Sequence, residues 1–331
     1  MTEHSKIPLP GQRDSGGSLF ERAEGLFGAP GELKAAPVPT VLAPPANRPR
    51  RAVPPGVPPE ATEIVPETPV AATSAPRALA QRVEFSGGQQ TIDRGRLLEQ
   101  GFVVPDGPVT ALVEEFRIVK RQLLLAMRAE GAGSPDRQRV LVSSPLPGEG
   151  KTFCAMNLAL TMAAEKDAEV VLVDADFAKP SILSLLGLSG GKGLMDALAD
   201  PSVRVEDCVI ATDIPGFFVL PAGNRTSSDS EYLASGNTRD LLDRLTAGAP
   251  NRVVIFDSPP ALAASPAAEL AKYVGQALVI CRADHTGQRA LEDALSLLSI
   301  CPDIKLLLNS ANFSPSGRRF GAYYGYGGDG E

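Results

Sequence analysis

The sequence has no tryptophan and only two histidines, His4 and His285. That leaves little scope for a histidine-based catalytic triad or a zinc cluster. Its four cysteines, Cys154, Cys208, Cys281 and Cys301, lie far apart in apolar contexts without Cys-x-x-Cys spacing. Buried thiols in a reducing cytosol are the expectation, and a disulfide framework is not. No apolar run approaches 18 residues, and the opening MTEHSKIPL has no signal-peptide core. The chain is therefore expected to be cytoplasmic, reaching the inner face of a membrane only through a partner. Positive charge is also short: 32 Lys and Arg against 39 Asp and Glu give a net charge of −7. That balance argues against a general nucleic-acid binder.

Proline is abundant but unevenly spread, with half of the 30 prolines in the first 90 residues. Residues 30–76 mix Pro, Ala and a few charges with no apolar period. Such a segment buries too little surface to offset its ordering entropy, so residues 1–89 read as a disordered Pro/Ala-rich tether. Residues 90–315 are long enough for one well-packed α/β domain. Residues 316–331 form a Gly/Tyr-rich tail, FGAYYGYGGDGE at its end.

Within the middle region, apolar positions 109, 112, 113, 116, 119, 123 and 127 fall on one helical stripe, and Glu114, Arg117, Lys120 and Arg121 fall on the other face. That charged face is either solvated or a contact surface. Strand-like and helix-like segments then alternate. Strands are expected at 140–142, 170–173, 216–220, 253–256, 277–281 and 304–308, with helices near 193–198, 238–246, 267–273 and 287–298. Continuous apolar strands separated by amphipathic helices indicate a mostly parallel, doubly wound sheet covered on both faces. Ligands of such a sheet sit at the carboxyl ends of its strands.

Three sequence features converge on those ends. The run SSPLPGEGKT follows Val140-Leu141-Val142 and precedes the helical FCAMNLALTMAA. A strand, a glycine loop ending in Gly-Lys-Thr and a helix aim backbone N–H groups and a helix dipole at one polyphosphate-sized point. Pro147, Gly148, Glu149, Gly150, Lys151, Thr152 and Phe153 are the expected nucleotide-contacting run, with Lys151 reaching the terminal phosphates and Thr152 holding Mg2+. Asp174 and Asp176 follow VVLV, two residues apart on an extended stretch, and Asp257 follows VVIF. Carboxylates at strand ends beside a phosphate loop suit a magnesium–nucleotide site, where one binds the metal and one accepts a proton. A lone Asp after a strand is as readily a turn former or a helix cap. Asn309, which ends LLLN, could contact adenine or form a turn.

Together, SSPLPGEGKT, VVLVDADFAKP, LPAGNRTSSDSEYLAS and VVIFDSPP resemble the bacterial tyrosine kinases of capsule and exopolysaccharide assembly, which are built on a P-loop NTPase fold. EEFRIVKRQLL and YYGYG add a likeness to the autokinases of exosortase-type exopolysaccharide loci. The resemblance covers about residues 92–331. It implies ATP and Mg2+ at Lys151, Thr152, Asp174, Asp176 and Asp257, with Asp174 as proton acceptor. It also implies phosphorylation of Tyr323, Tyr324 and Tyr326 by a neighbouring copy in a ring, with Glu114, Arg117 and Lys120 as the subunit contact. A separate membrane-bound polysaccharide co-polymerase as activator and a counteracting phosphatase complete the expected partners. Two positions depart from the pattern: Ala178 stands where many members have Arg, and Pro145 where the common loop has its first Gly.

The tail supports that reading on physical grounds, because its glycines disfavour helix and strand and so present the phenols. By itself it would be no more than an unordered end with adhesive aromatics. Two other functions stay open: a partitioning or division-site ATPase of the same wider fold, and a non-catalytic nucleotide-binding scaffold of an export complex. The first usually has a lysine five positions before the loop Lys, and here that position is Leu146.

Overall fold

The computed structural model describes residues 82–128, 134–226 and 228–311. Most of the expected tether and all of the expected tail, including Tyr323, Tyr324 and Tyr326, lie outside the described residues. In chain order the elements are β1 (Gln89–Gln90), α1 (Arg94–Glu99), α2 (Ala111–Arg128), β2 (Arg139–Ser143), α3 (Lys151–Ala163), β3 (Glu169–Asp174), α4 (Ile182–Leu186) and α5 (Leu194–Ala199). There follow α6 (Val205–Cys208), β4 (Ile210–Thr212), β5 (Phe217–Leu220), α7 (Asp229–Leu233), α8 (Asn237–Thr246) and β6 (Arg252–Asp257). The last four are α9 (Pro266–Leu270), β7 (Gln276–Arg282), α10 (Gln288–Leu297) and β8 (Ile304–Asn309).

The strands form one sheet in the order β1-β4-β5-β3-β6-β2-β7-β8. The six from β5 to β8 in that order run parallel, and β4 pairs antiparallel with β5, with β1 parallel to β4. Alternate residues of each inner strand feed opposite cores. Val140, Val142, Val170, Leu172 and Ile255 meet α1 to α4 on one face. Leu141, Val171, Val173, Val254 and Phe256 meet α5 to α10 on the other. This is why the inner strands are apolar at successive positions and show no alternation.

The charged face expected on α2 needs one correction. Glu114 and Arg117 pair with each other there, but Lys120 is only 8% exposed. Its amine reaches back to the Thr161 carbonyl at 3.3 Å and to Glu165 at 2.9 Å, across α3. The buried stripe is Val113, Phe116, Lys120 and Leu123. A lysine can complete an apolar stripe because its methylenes pack while its ammonium emerges at the edge. In exchange, Ile118 and Leu125 face outward.

Residues 82–90 also pack on the sheet, so the expected division between 89 and 90 cuts through β1. The Val83 N–H donates to the Ala247 carbonyl at 3.1 Å and that of Ser86 to the Glu206 carbonyl at 3.2 Å. Arg252 secures this strap from inside. Its guanidinium lies 4.1 Å from the Phe85 ring centroid, donates to the Val83 and Leu245 carbonyls at 3.1 and 3.0 Å, and pairs with Glu169 at 2.8 Å. Losing the guanidinium removes its hydrogen bonds to two backbone carbonyls and its ring contact, while Glu169 keeps Arg82 as a partner. Arg252→Met should therefore lower unfolding free energy in urea by about 2 kcal/mol, and expose residues 82–88 to limited proteolysis. Wild-type stability with an intact strap would count against this account.

Candidate nucleotide site

Helix α3 begins where the glycine loop ends. Gly150 precedes it in a left-handed conformation (φ +94°), and no side chain caps the helix. Its first-turn N–H groups are thus left to an external acceptor, which suits a phosphate. Gly148 is left-handed as well (φ +80°). At Gly150 a Cβ would stand 2.1 Å from Nδ2 of Asn309, so glycine is required there both by backbone conformation and by close approach.

Lys151 projects from the first position of α3 toward the ends of β3 and β6. Its ammonium lies 2.8 Å from Asp176, 3.8 Å from Asp257 and 3.4 Å from the Thr152 hydroxyl. Asp174 and Asp257 are register partners on adjacent strands, so the fold itself brings the two aspartate motifs side by side. Asp257 is fully buried, and neither carboxylate oxygen has a hydrogen-bond partner. Burial pushes its pKa up to about 7, with the Lys151 charge and the Thr152 hydroxyl opposing the rise. Such an acceptor, next to a threonine hydroxyl and below an uncapped helix, is what a hydrated divalent cation would satisfy.

Asp174 sits differently from the expectation that three carboxylates surround one metal. Its Oδ2 accepts the N–H groups of Ser181 and Ile182 at 2.8 and 3.0 Å, and its Oδ1 accepts that of Asp176 at 3.3 Å. Burial nevertheless raises its pKa, against those three donors. Among the described residues no three His, Cys, Asp or Glu side chains form a metal-holding group. Thr152 and Asp257 are the pair that fits Mg2+, which typically takes one or two protein ligands and completes its shell with water and phosphate. Behind them, burial and then the charge of Asp257 push the Cys154 thiol up to about 12, leaving it inert.

Other expected contacts are placed as follows. Phe153 packs on Phe102, ring centroids 5.2 Å apart. Glu149 is 1% exposed, with both carboxylate oxygens bonded to protein donors, Leu146 N–H and Thr286 hydroxyl. Asn309 donates to the Glu149 carbonyl at 2.9 Å and accepts from Ser310 N–H at 2.9 Å, so both ends of its amide are engaged within the protein. Nothing in the sequence singled out Arg282, which ends β7, or Thr286, on the turn after it; both touch the loop.

The sheet order and the Gly-Lys-Thr loop at its carboxyl end define a P-loop NTPase fold. The kinase domain of Escherichia coli tyrosine kinase ETK shares that fold, with a TM-score of 0.52 at 23% identity over 68% of this chain and 91% of that one. A putative tyrosine-protein kinase, EpsB, of Ralstonia nicotianae is 30% identical over 217 residues, 66% of this chain. Tyrosine-protein kinase YwqD of Bacillus subtilis is 28% identical over 211 residues, covering 63% of this chain and 84% of that protein. No protein-family model matches the chain. By these likenesses the chain is similar to bacterial tyrosine kinases, and it spans only about a fifth to a quarter of the length of the long relatives it matches.

Proposed function

We propose that this domain is an ATP- and Mg2+-dependent protein-tyrosine kinase acting on the tyrosines of its own C-terminal segment. The observation that carries the reading is the Lys151 ammonium held 2.8 Å from Asp176 and 3.8 Å from Asp257 at the mouth of an uncapped glycine loop. In this reading Lys151 turns from its carboxylate partners to the oxygens of the transferred phosphoryl group. Thr152 and Asp257 would hold Mg2+, which would supply neutralisation of charge on the phosphates. A new bond forms from the tyrosine oxygen to the γ-phosphorus, the bond to the ADP oxygen breaks, and Asp174 accepts the phenol proton. Its raised pKa makes it a stronger base than an ordinary surface carboxylate.

The phosphoacceptors are Tyr323, Tyr324 and Tyr326 of a neighbouring copy in a ring, with Glu114 and Arg117 at the contact. The proposal includes an activating membrane-bound polysaccharide co-polymerase, an opposing phosphatase, and a role in regulating exopolysaccharide export. None of the described helices is long and apolar enough to cross a membrane; in this reading the partner supplies membrane recruitment. Phosphorylation would add about −1.5 to −2 charge per tyrosine to tails that already carry Asp329 and Glu331. Mutual repulsion of such tails would loosen the ring.

The test is phosphotyrosine formation on incubation with Mg-ATP, with and without the activating partner, for the wild-type chain and a truncation before Tyr323. Signal in the first and none in the second is the expected result. ATP hydrolysis without phosphotyrosine would point to a partitioning-type switch, and neither activity to a scaffold.

A further inference from the structure

A loop with two left-handed glycines has little conformational preference of its own. Something outside it must set the direction of its peptide groups before a ligand arrives. Three groups on the ends of β7 and β8 touch it. The Arg282 guanidinium donates to the Gly148 carbonyl at 3.4 Å, and the Asn309 amide donates to the Glu149 carbonyl at 2.9 Å. The Thr286 hydroxyl donates to Oε1 of Glu149, while Oε2 of that carboxylate accepts the Leu146 N–H at 2.7 Å. Thr286 is itself oriented, since its oxygen accepts the Arg282 N–H at 2.8 Å.

The stereochemistry of the peptide unit turns these contacts into a consequence. In a trans peptide the C=O of one residue and the N–H of the next point in opposite directions. Drawing the Gly148 and Glu149 carbonyls toward β7 and β8 therefore turns the N–H groups of Glu149 and Gly150 to the opposite side of the loop. Those two donors would cradle a phosphate. We propose that the side chains of Glu149, Thr286 and Asn309 are a positioning brace, which sets the phosphate loop in its binding geometry without themselves touching nucleotide. The inference rests on the nucleotide-binding reading above and deepens it. It reassigns the Glu149 side chain from ligand contact to support, and it accounts for Asn309 without an adenine.

Thr286→Val removes the hydroxyl while keeping the shape and leaves Glu149 a buried oxygen without a donor. Asn309→Asp sets a carboxylate against the Glu149 carbonyl. Each should weaken Mg-ADP binding in titration calorimetry about tenfold, and Thr286→Ser should restore it. Amide hydrogen exchange over residues 145–150 should quicken in Thr286→Val without nucleotide present, with the melting temperature little changed. Glu149→Gln should weaken binding less in the Thr286→Val background than in the wild type, because the two substitutions break one shared contact. Wild-type affinity and wild-type loop exchange in both single variants would overturn the brace. Full additivity of Glu149→Gln and Thr286→Val would overturn it too, by making Glu149 a direct ligand contact. If the wild-type protein bound no Mg-ADP, the nucleotide-binding reading would fall, and loop exchange alone would decide the brace.

Discussion

Lys151→Met is expected to abolish phosphotyrosine formation, with a fall of at least about a thousandfold, while the protein stays folded. A preorganised cation aimed at developing phosphoryl charge in a water-poor site stabilises the transition state by several kcal/mol, and its loss costs about a hundredfold to a thousandfold or more. The structure adds a second reason. Lys151 is the cation paired with Asp176 and closest to fully buried Asp257, and the same environment raises the pKa of Asp174. Without it, Asp257 should hold its proton to still higher pH, so the variant also loses the metal ligand that the charged form provides. Methionine keeps the packing of the stem, so the melting temperature at pH 7 should move by only a few degrees. Lys151→Arg should not rescue, because a planar fork does not replace a compact ammonium in this space. Retention of a tenth or more of the activity in Lys151→Met would remove the site proposed here.

Asp257→Asn should make the ligand-free protein more stable at pH 8 while ending its response to Mg2+. In the folded chain burial lifts the Asp257 pKa to about 7 from an ordinary value of 3.8. Between those values the folded state binds a proton that the unfolded state does not, so stability falls as pH rises from about 4 to about 7. The fall from this one group amounts to as much as about 4 kcal/mol. Asparagine has no charge to bury and should lack that part of the decline. Urea unfolding at pH 5, 6, 7 and 8 in EDTA should show the two proteins diverging, with the variant ahead at the alkaline end. Added Mg2+ and ADP should then raise the melting temperature of the wild type and leave the variant unmoved. Parallel pH profiles would show that Asp257 is not carrying the buried charge.

Much of the architecture was legible because strands of an inner parallel sheet leave a strong trace. VVLV and VVIF are apolar at every position, and the strands at 169–174 and 252–257 extend by one residue at each end beyond those apolar runs. The Gly-Lys-Thr loop and the aspartate motifs were legible for the same reason, since each is anchored to such a strand. Short elements were not. β4 has three residues and β1 two, and the antiparallel pairing of β4 with β5, with β1 parallel to β4 at the edge, depends on tertiary packing that leaves no period to read. Lys120 misled because a lysine in a helix reads as polar, whereas its stem fills the stripe against α3. Asp174 was legible as a strand-end carboxylate but not as the acceptor for the turn at 181–182, which comes seven residues later. Thr286 carries no motif at all. Only the fold brings a hydroxyl 137 residues further along the chain onto Glu149.

β8 ends at Asn309, and Asn309 is bonded to the glycine loop, so whatever follows it departs from the doorway of the nucleotide site. Tyr323 comes fourteen residues later, a contour of at most about 50 Å. A contour of that length is enough for the chain's own pocket as well as for one in a second copy. Exchange between copies, as proposed above, would therefore be set by how the subunits of the proposed ring stand against one another, and not by chain length.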